Sequence, residues 1–142
     1  MAYTFLEDVA TADVAFDAEG EDIDELFKSC AEATFEVMAD LTTVGQDTEK
    51  KIILENKKVD KLLYEFLEEL IYIKDLDCIL FSDFDIKIKK EDGIYQLEAT
   101  AYGSTINSEK QDLKADVKAV TLHMFEVKQT KDGWKARVVL DI

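Results

Sequence analysis

The second half of the chain is written in period two around two glycine turns, and this constrains the fold more than any other feature. Phe84, Ile86 and Ile88 alternate with Asp83, Asp85 and Lys87; Glu91-Asp92-Gly93 interrupts, and Tyr95, Leu97, Ala99 and Ala101 resume the alternation. Further on, Lys131-Asp132-Gly133 breaks an extended stretch over residues 117–128, and Trp134, Ala136, Val138 and Leu140 alternate to the end. Successive side chains of a strand point to opposite faces, so this pattern predicts strands with one wet face. The Asp-Gly steps supply the positive φ of tight hairpin turns. Two antiparallel hairpins are therefore predicted, with a polar loop over residues 103–112 between them.

The first half mixes the two periods. Val14, Phe16 and Ala18 alternate with Ala15, Asp17 and Glu19, a half-buried strand punctuated by Gly20. Asp22 with Glu25 three residues later forms a capping-box arrangement at a helix start. Ile23, Leu26, Phe27, Cys30, Ala31, Val37, Met38 and Leu41 follow at helical spacing, with Glu25, Lys28, Glu32 and Glu36 on the wet face. Gly45 and Asp47 read as loop, and Ile52 and Leu54 as a short strand. A second helix is predicted over residues 59–73, with Leu62, Leu63, Phe66, Leu67, Leu70 and Ile71 on one side. Two helices beside hairpin-joined strands, with little βαβ alternation, give an α+β class: a mainly antiparallel β-sheet with two helices packed on one face. The 142 residues contain no proline, five glycines and no linker or repeat, so residues 1–142 are read as one domain.

Charge narrows the function. Asp and Glu number 32 against 17 Lys and Arg, a net charge of −15 at pH 7. Nucleic-acid binding rests on neutralising phosphates with Lys and Arg. The lysines here are interleaved with acids, so direct nucleic-acid binding is not expected, and any service to RNA is expected to run through a protein partner. Acidity also keeps a chain soluble and monomeric. No apolar run approaches the roughly 20 residues that cross a bilayer, and the start has no basic segment ahead of an apolar one. A cytoplasmic location is the expectation. Cys30 and Cys78 are read as reduced, mostly buried thiols.

The catalytic inventory is short. The sequence has no P-loop, GxGxxG, GxSxG, HExxH or zinc-type Cys/His cluster. Its single histidine, His123, is read as a structural or partner-facing strand residue rather than a catalytic base, although pairing with Cys30 or Cys78 in space stays open. Most carboxylates are solvated faces of helices and loops. Two stand apart. Asp13 sits where Thr11-Ala12 enters a strand, and Asp141 ends a strongly patterned strand beside the terminal Ile142. A strand ending at the terminus holds a side-chain carboxylate near the free α-carboxylate. Hard oxygen anions in one place suit Ca²⁺ or Mg²⁺ better than Zn²⁺, although terminal residues commonly fray. Lys118, in the apolar run Val117-Lys118-Ala119-Val120, is read as a wet-face residue or as a cation beside the acids.

These segments together resemble the archease family. The resemblance lies in Thr11-Ala12-Asp13-Val14 before a strand and Gly20, in the segment from Asp116 through Lys118 to His123-Met124, and in the Asp141-Ile142 terminus. The two predicted helices agree in order and length. The sequence departs from the family pattern at Ala10, where histidine is usual, at Ala15, where glycine is usual, at Leu122 for tyrosine, and at Gln111 for histidine. The resemblance implies an α+β protein without catalysis of its own. It would activate an RtcB-type tRNA-splicing RNA ligase by promoting guanylylation and repeated turnover. It also implies a divalent cation, Ca²⁺ or another such as Mg²⁺, held by Asp13, Asp141 and Ile142. Lys118 and His123 are the further partner-facing candidates. The rival readings are a metal-dependent hydrolase using Asp13, Asp141 and His123, and a general chaperone with an exposed apolar patch.

Overall fold

The computed structural model describes residues 3–6 and 13–142. In chain order the elements are β1 (Tyr3–Leu6), β2 (Asp13–Gly20), α1 (Ile23–Glu36), β3 (Thr48–Asn56), α2 (Val59–Asp77), β4 (Ile79–Glu91), β5 (Ile94–Thr105), β6 (Ala119–Thr130) and β7 (Gly133–Asp141). All strand pairs are antiparallel, which bears out the α+β class. The strands divide between two sheets, however, in the orders β1-β2-β7-β6 and β3-β5-β4. Each predicted hairpin joins a different partner: β7 zips onto β2, while β5 zips onto β3. Both helices touch strands of both sheets, so the core lies between the layers rather than under one face.

Local chemistry explains most boundaries. Asp22 caps α1, its Oδ1 accepting the Glu25 N–H at 2.8 Å. The β4–β5 turn has Asp92 at φ 52 and Gly93 at φ 77, the twisted two-residue turn that matches strand twist. Gly103 lies inside β5 and not in a loop; a Cβ there would overlap the Leu80 backbone, so only glycine lets β5 pass the irregular stretch of β4.

Three boundaries differ from the sequence expectation. Helix α1 ends at Glu36 although Val37, Met38 and Ala39 stay buried. The carbonyls of Met38 and Val37 accept N–H groups of Lys114 and Ala115 at 2.8 and 3.2 Å, which draws this segment out of the helix. Helix α2 runs on to Asp77 and stops at Cys78 in the left-handed conformation, φ 54. Strand β3 is nine residues long because β5 offers it a full-length partner.

The core is aromatic and leucine-rich. Phe16, Phe27, Phe35, Phe66, Phe81 and Phe84 are all fully buried. Each such side chain contributes about 1.5–3 kcal/mol relative to exposure. Phe35 meets Phe81 edge to face at 5.5 Å, fixing α1 on β4. Among the described residues no helix is long and apolar enough to cross a membrane.

Candidate metal centre

Strand β7 is central in its sheet, between β2 and β6. The buried inner face of β2, Phe16 and Ala18, fixes the β2–β7 register, because a slip by one would turn those side chains to solvent. That register sets Asp13 directly opposite Asp141. Along the same face of this ladder follow Ala15 opposite Val139, Asp17 opposite Arg137, and Glu19 opposite Lys135. The last two pairs are complementary: Arg137 donates to both Asp17 oxygens at 2.7 and 2.9 Å, and Lys135 lies 3.8 Å from Glu19. The Asp13–Asp141 rung sets acid against acid. Like charges directly opposite are destabilising, and among the described residues neither carboxylate has an ion-pair partner.

The chain end does not hang free. Val138, Val139 and Leu140 are fully buried, and the Ile142 side chain packs against the core. Asp141 is held on its other side as well: it lies opposite Ala119, and its carbonyl accepts the Lys118 N–H at 2.8 Å. Ile142 therefore sits one residue beyond a clamped acid pair. Among the described residues no three His, Cys, Asp or Glu side chains gather into a metal-binding group. A cation here would thus need Asp13, Asp141 and a main-chain oxygen of Ile142. That donor set is all hard oxygen and fits Ca²⁺ or Mg²⁺.

Other sequence candidates fall elsewhere. The Lys118 side chain is exposed; its backbone N–H contacts Asp141, and among the described residues its ammonium forms no ion pair with either acid. His123 is exposed on a bulge of β6, off the ladder, and among the described residues no hydrogen bond holds its ring. Cys30 is fully buried in α1, and burial pushes its thiol far up in pKa, so it forms no pair with His123. Cys78, expected to be buried, is exposed, because the left-handed turn that ends α2 carries it outward. Ala10, Thr11 and Ala12 lie outside the described residues. Gln111 is buried and serves its own turn, accepting the Asn107 N–H at 2.9 Å and donating to the Thr105 carbonyl at 3.0 Å.

One supporting residue was missed by sequence reasoning. Lys74 is 3 % exposed, and its Nζ donates to Asp116 at 2.7 Å and to the Val117 carbonyl at 2.9 Å, with Asp75 at 2.6 Å. It ties α2 to the segment that delivers Lys118 to Asp141. The signal was present: Leu67, Leu70, Ile71 and Lys74 fall at i, i+3, i+4 and i+7, which puts a lysine on the apolar stripe.

Comparison with known proteins gives the family and the fold. The model of the Archease protein family matches residues 3–142. The chain is 38% identical over 133 residues to the protein archease of Pyrococcus furiosus, covering 93% of this chain and 94% of that one. It is 37% identical over 141 residues to the protein archease of Methanosarcina mazei, covering 99% and 95%. The solution structure of Methanobacterium thermoautotrophicum protein 1598 superposes with a TM-score of 0.87 at 40% identity, covering 99% of both chains. An archease of Thermotoga maritima, described as a possible chaperone, shares the fold at a TM-score of 0.63 and 18% identity, covering 98% of both.

Proposed function

The chain belongs to the archease family, and from that premise we propose that it acts on a protein partner, as an activator of an RtcB-type tRNA-splicing RNA ligase. The chain raises guanylylation of the ligase and lets it turn over repeatedly, and it carries out no chemistry itself. The observation that carries this reading is the Asp13–Asp141 rung. Two half-buried acids clamped opposite each other at the end of a central strand form a fixed anionic tip. Strand pairing on both sides of β7 orders it in advance, so little conformational entropy is lost on docking.

Asp13, Asp141 and Ile142, the last through its carboxylate or backbone oxygen, would hold a divalent cation, Ca²⁺ or Mg²⁺. When bound, it supplies concentrated positive charge at the tip and cancels the repulsion between the two acids. Lys118 keeps the Asp141 carbonyl in place through its backbone N–H and leaves its exposed ammonium free for the partner. With a net charge of −15, the chain itself stays off the RNA.

The test is RNA ligation by the cognate RtcB-type ligase at substrate excess, with and without this protein. Repeated turnover and faster guanylylation are expected with the wild-type chain, and neither with Asp13→Ala or Asp141→Ala that remain folded. Full stimulation by either variant contradicts the reading.

A further inference from the structure

Strand β6 is an outer strand, and its pairing with β7 breaks between Thr121 and Glu126, which lie opposite Val139 and Arg137. Residues 122–125 form a bulge opposite Val138, with Met124 in the left-handed conformation at φ 54. Such a conformation is unfavourable for a non-glycine side chain. The bulge also turns apolar groups outward: Leu122 is 72% exposed and Met124 44%. It is not a loose loop. Phe125 folds back edge to face onto Tyr64 of α2 at 5.7 Å, and the Tyr64 hydroxyl donates to the Val120 carbonyl at 3.4 Å.

Between bulge and helix lies a groove of about 430 Å³, with a floor of Tyr64, Leu122 and Phe125 and a rim of Asp60, Glu65 and Glu68. Lys61 is the single cation on its lining. An apolar floor under an acidic rim matches one kind of side chain, an aliphatic stem ending in a cation. The bulge removes regular backbone pairing from this edge, so strand addition is disfavoured and recognition falls to side chains. A second copy of this chain fits poorly, since it would bring another −15 surface and another acidic rim.

We propose that this groove is a docking site for an arginine- or lysine-bearing segment of the protein partner. The stem lies on Leu122 and Phe125, and the cation meets Glu68 and Asp60. The proposal rests on the activator reading and gives it a second contact surface apart from the acidic tip. An RNA-joining enzyme must carry cationic surface to hold phosphates, which supplies the complementary chemistry.

The experiment measures affinity between the full chain and the RtcB-type ligase by calorimetry at several salt concentrations, for wild type, Leu122→Asp and Glu68→Lys. Ca²⁺ affinity and Tm are followed in parallel. Both substitutions are expected to weaken binding about tenfold or more, with Ca²⁺ affinity and Tm unchanged, and binding by the wild type should fall as salt rises. Wild-type affinity in both variants, while Asp13→Ala still loses stimulation, overturns the docking groove and leaves the activator reading standing. Failure of the wild-type chain either to bind or to stimulate overturns both. A dimer of the wild-type chain that Leu122→Asp dissolves assigns the groove to self-association and also overturns the proposal.

Discussion

At the scale of single residues, the Asp13–Asp141 rung is one place where the chain sets like charges opposite each other. Opposed like charges cost about 0.2–1 kcal/mol, so Asp13→Asn or Asp141→Asn should raise stability by about that amount in chelator, read by urea denaturation. Added Ca²⁺ at a hundred times its Kd should stabilise the wild type by about 2.7 kcal/mol and the asparagine variants by much less. An undiminished Ca²⁺ response in both variants would show that the cation sits elsewhere. The two cysteines separate just as sharply. Cys78 is exposed and Cys30 is fully buried with its thiol pushed up. A thiol reagent should therefore modify one cysteine in the native protein and both in denaturant; protection of Cys78→Ala against native labelling identifies the reactive one.

At the scale of elements, the buried Lys74 ammonium ties α2 to the segment that leads into β6. Lys74→Met keeps the stem and removes two hydrogen bonds and the ion pair with Asp75, leaving the Val117 carbonyl without its side-chain donor. The expected loss is about 1–3 kcal/mol, measured by denaturant unfolding, together with faster hydrogen exchange at Lys118 N–H, which donates to Asp141. Unchanged exchange there would mean that the Lys118–Asp141 contact stands without the anchor. The same element shows the limits of sequence pattern. The period-3.6 stripe located α2 correctly, but a charged residue buried by its partners does not read as apolar. The predicted helix therefore stopped at Ile73, short of the observed end at Asp77.

At the scale of the whole molecule, excess acid makes stability depend on pH in both directions. Burial holds the Glu32 carboxyl above its ordinary 4.5, and burial holds Asp24 above its ordinary 3.8. The folded state then binds more protons than the unfolded one between those values and the raised ones. The stability these groups contribute is present below the ordinary value and lost as pH rises through the raised one. Asp17 and Asp40 run the opposite way, held below 3.8 by hydrogen bonds from Arg137 and Thr42 respectively. Their contribution is present above 3.8 and disappears as pH falls through the lowered values. Glu32→Gln should accordingly exceed the wild type in Tm at pH 7, and the difference should vanish on acidification below 4.5. Asp17→Asn should lose Tm at pH 7, and that deficit should close in acid. A pH-independent gap in either variant would assign its effect to packing.

The sequence by itself determined the hairpins, the capped start of α1, the positions of both helices and an acid at the very end of a strand, because these follow from side-chain period, turn chemistry and chain order. The family resemblance carried by the segments around Asp13, Lys118 and Asp141 was legible for the same reason, being local. Tertiary structure alone decided that the hairpins serve separate sheets, that Val37 to Ala39 leave the helix, and that β6 bulges to expose Leu122. It also decided that Asp13 meets Asp141, two residues 128 positions apart in the sequence. Their opposition is a matter of strand register, and register is set by which faces of β2 and β7 are buried in the shared core, a property no single segment carries.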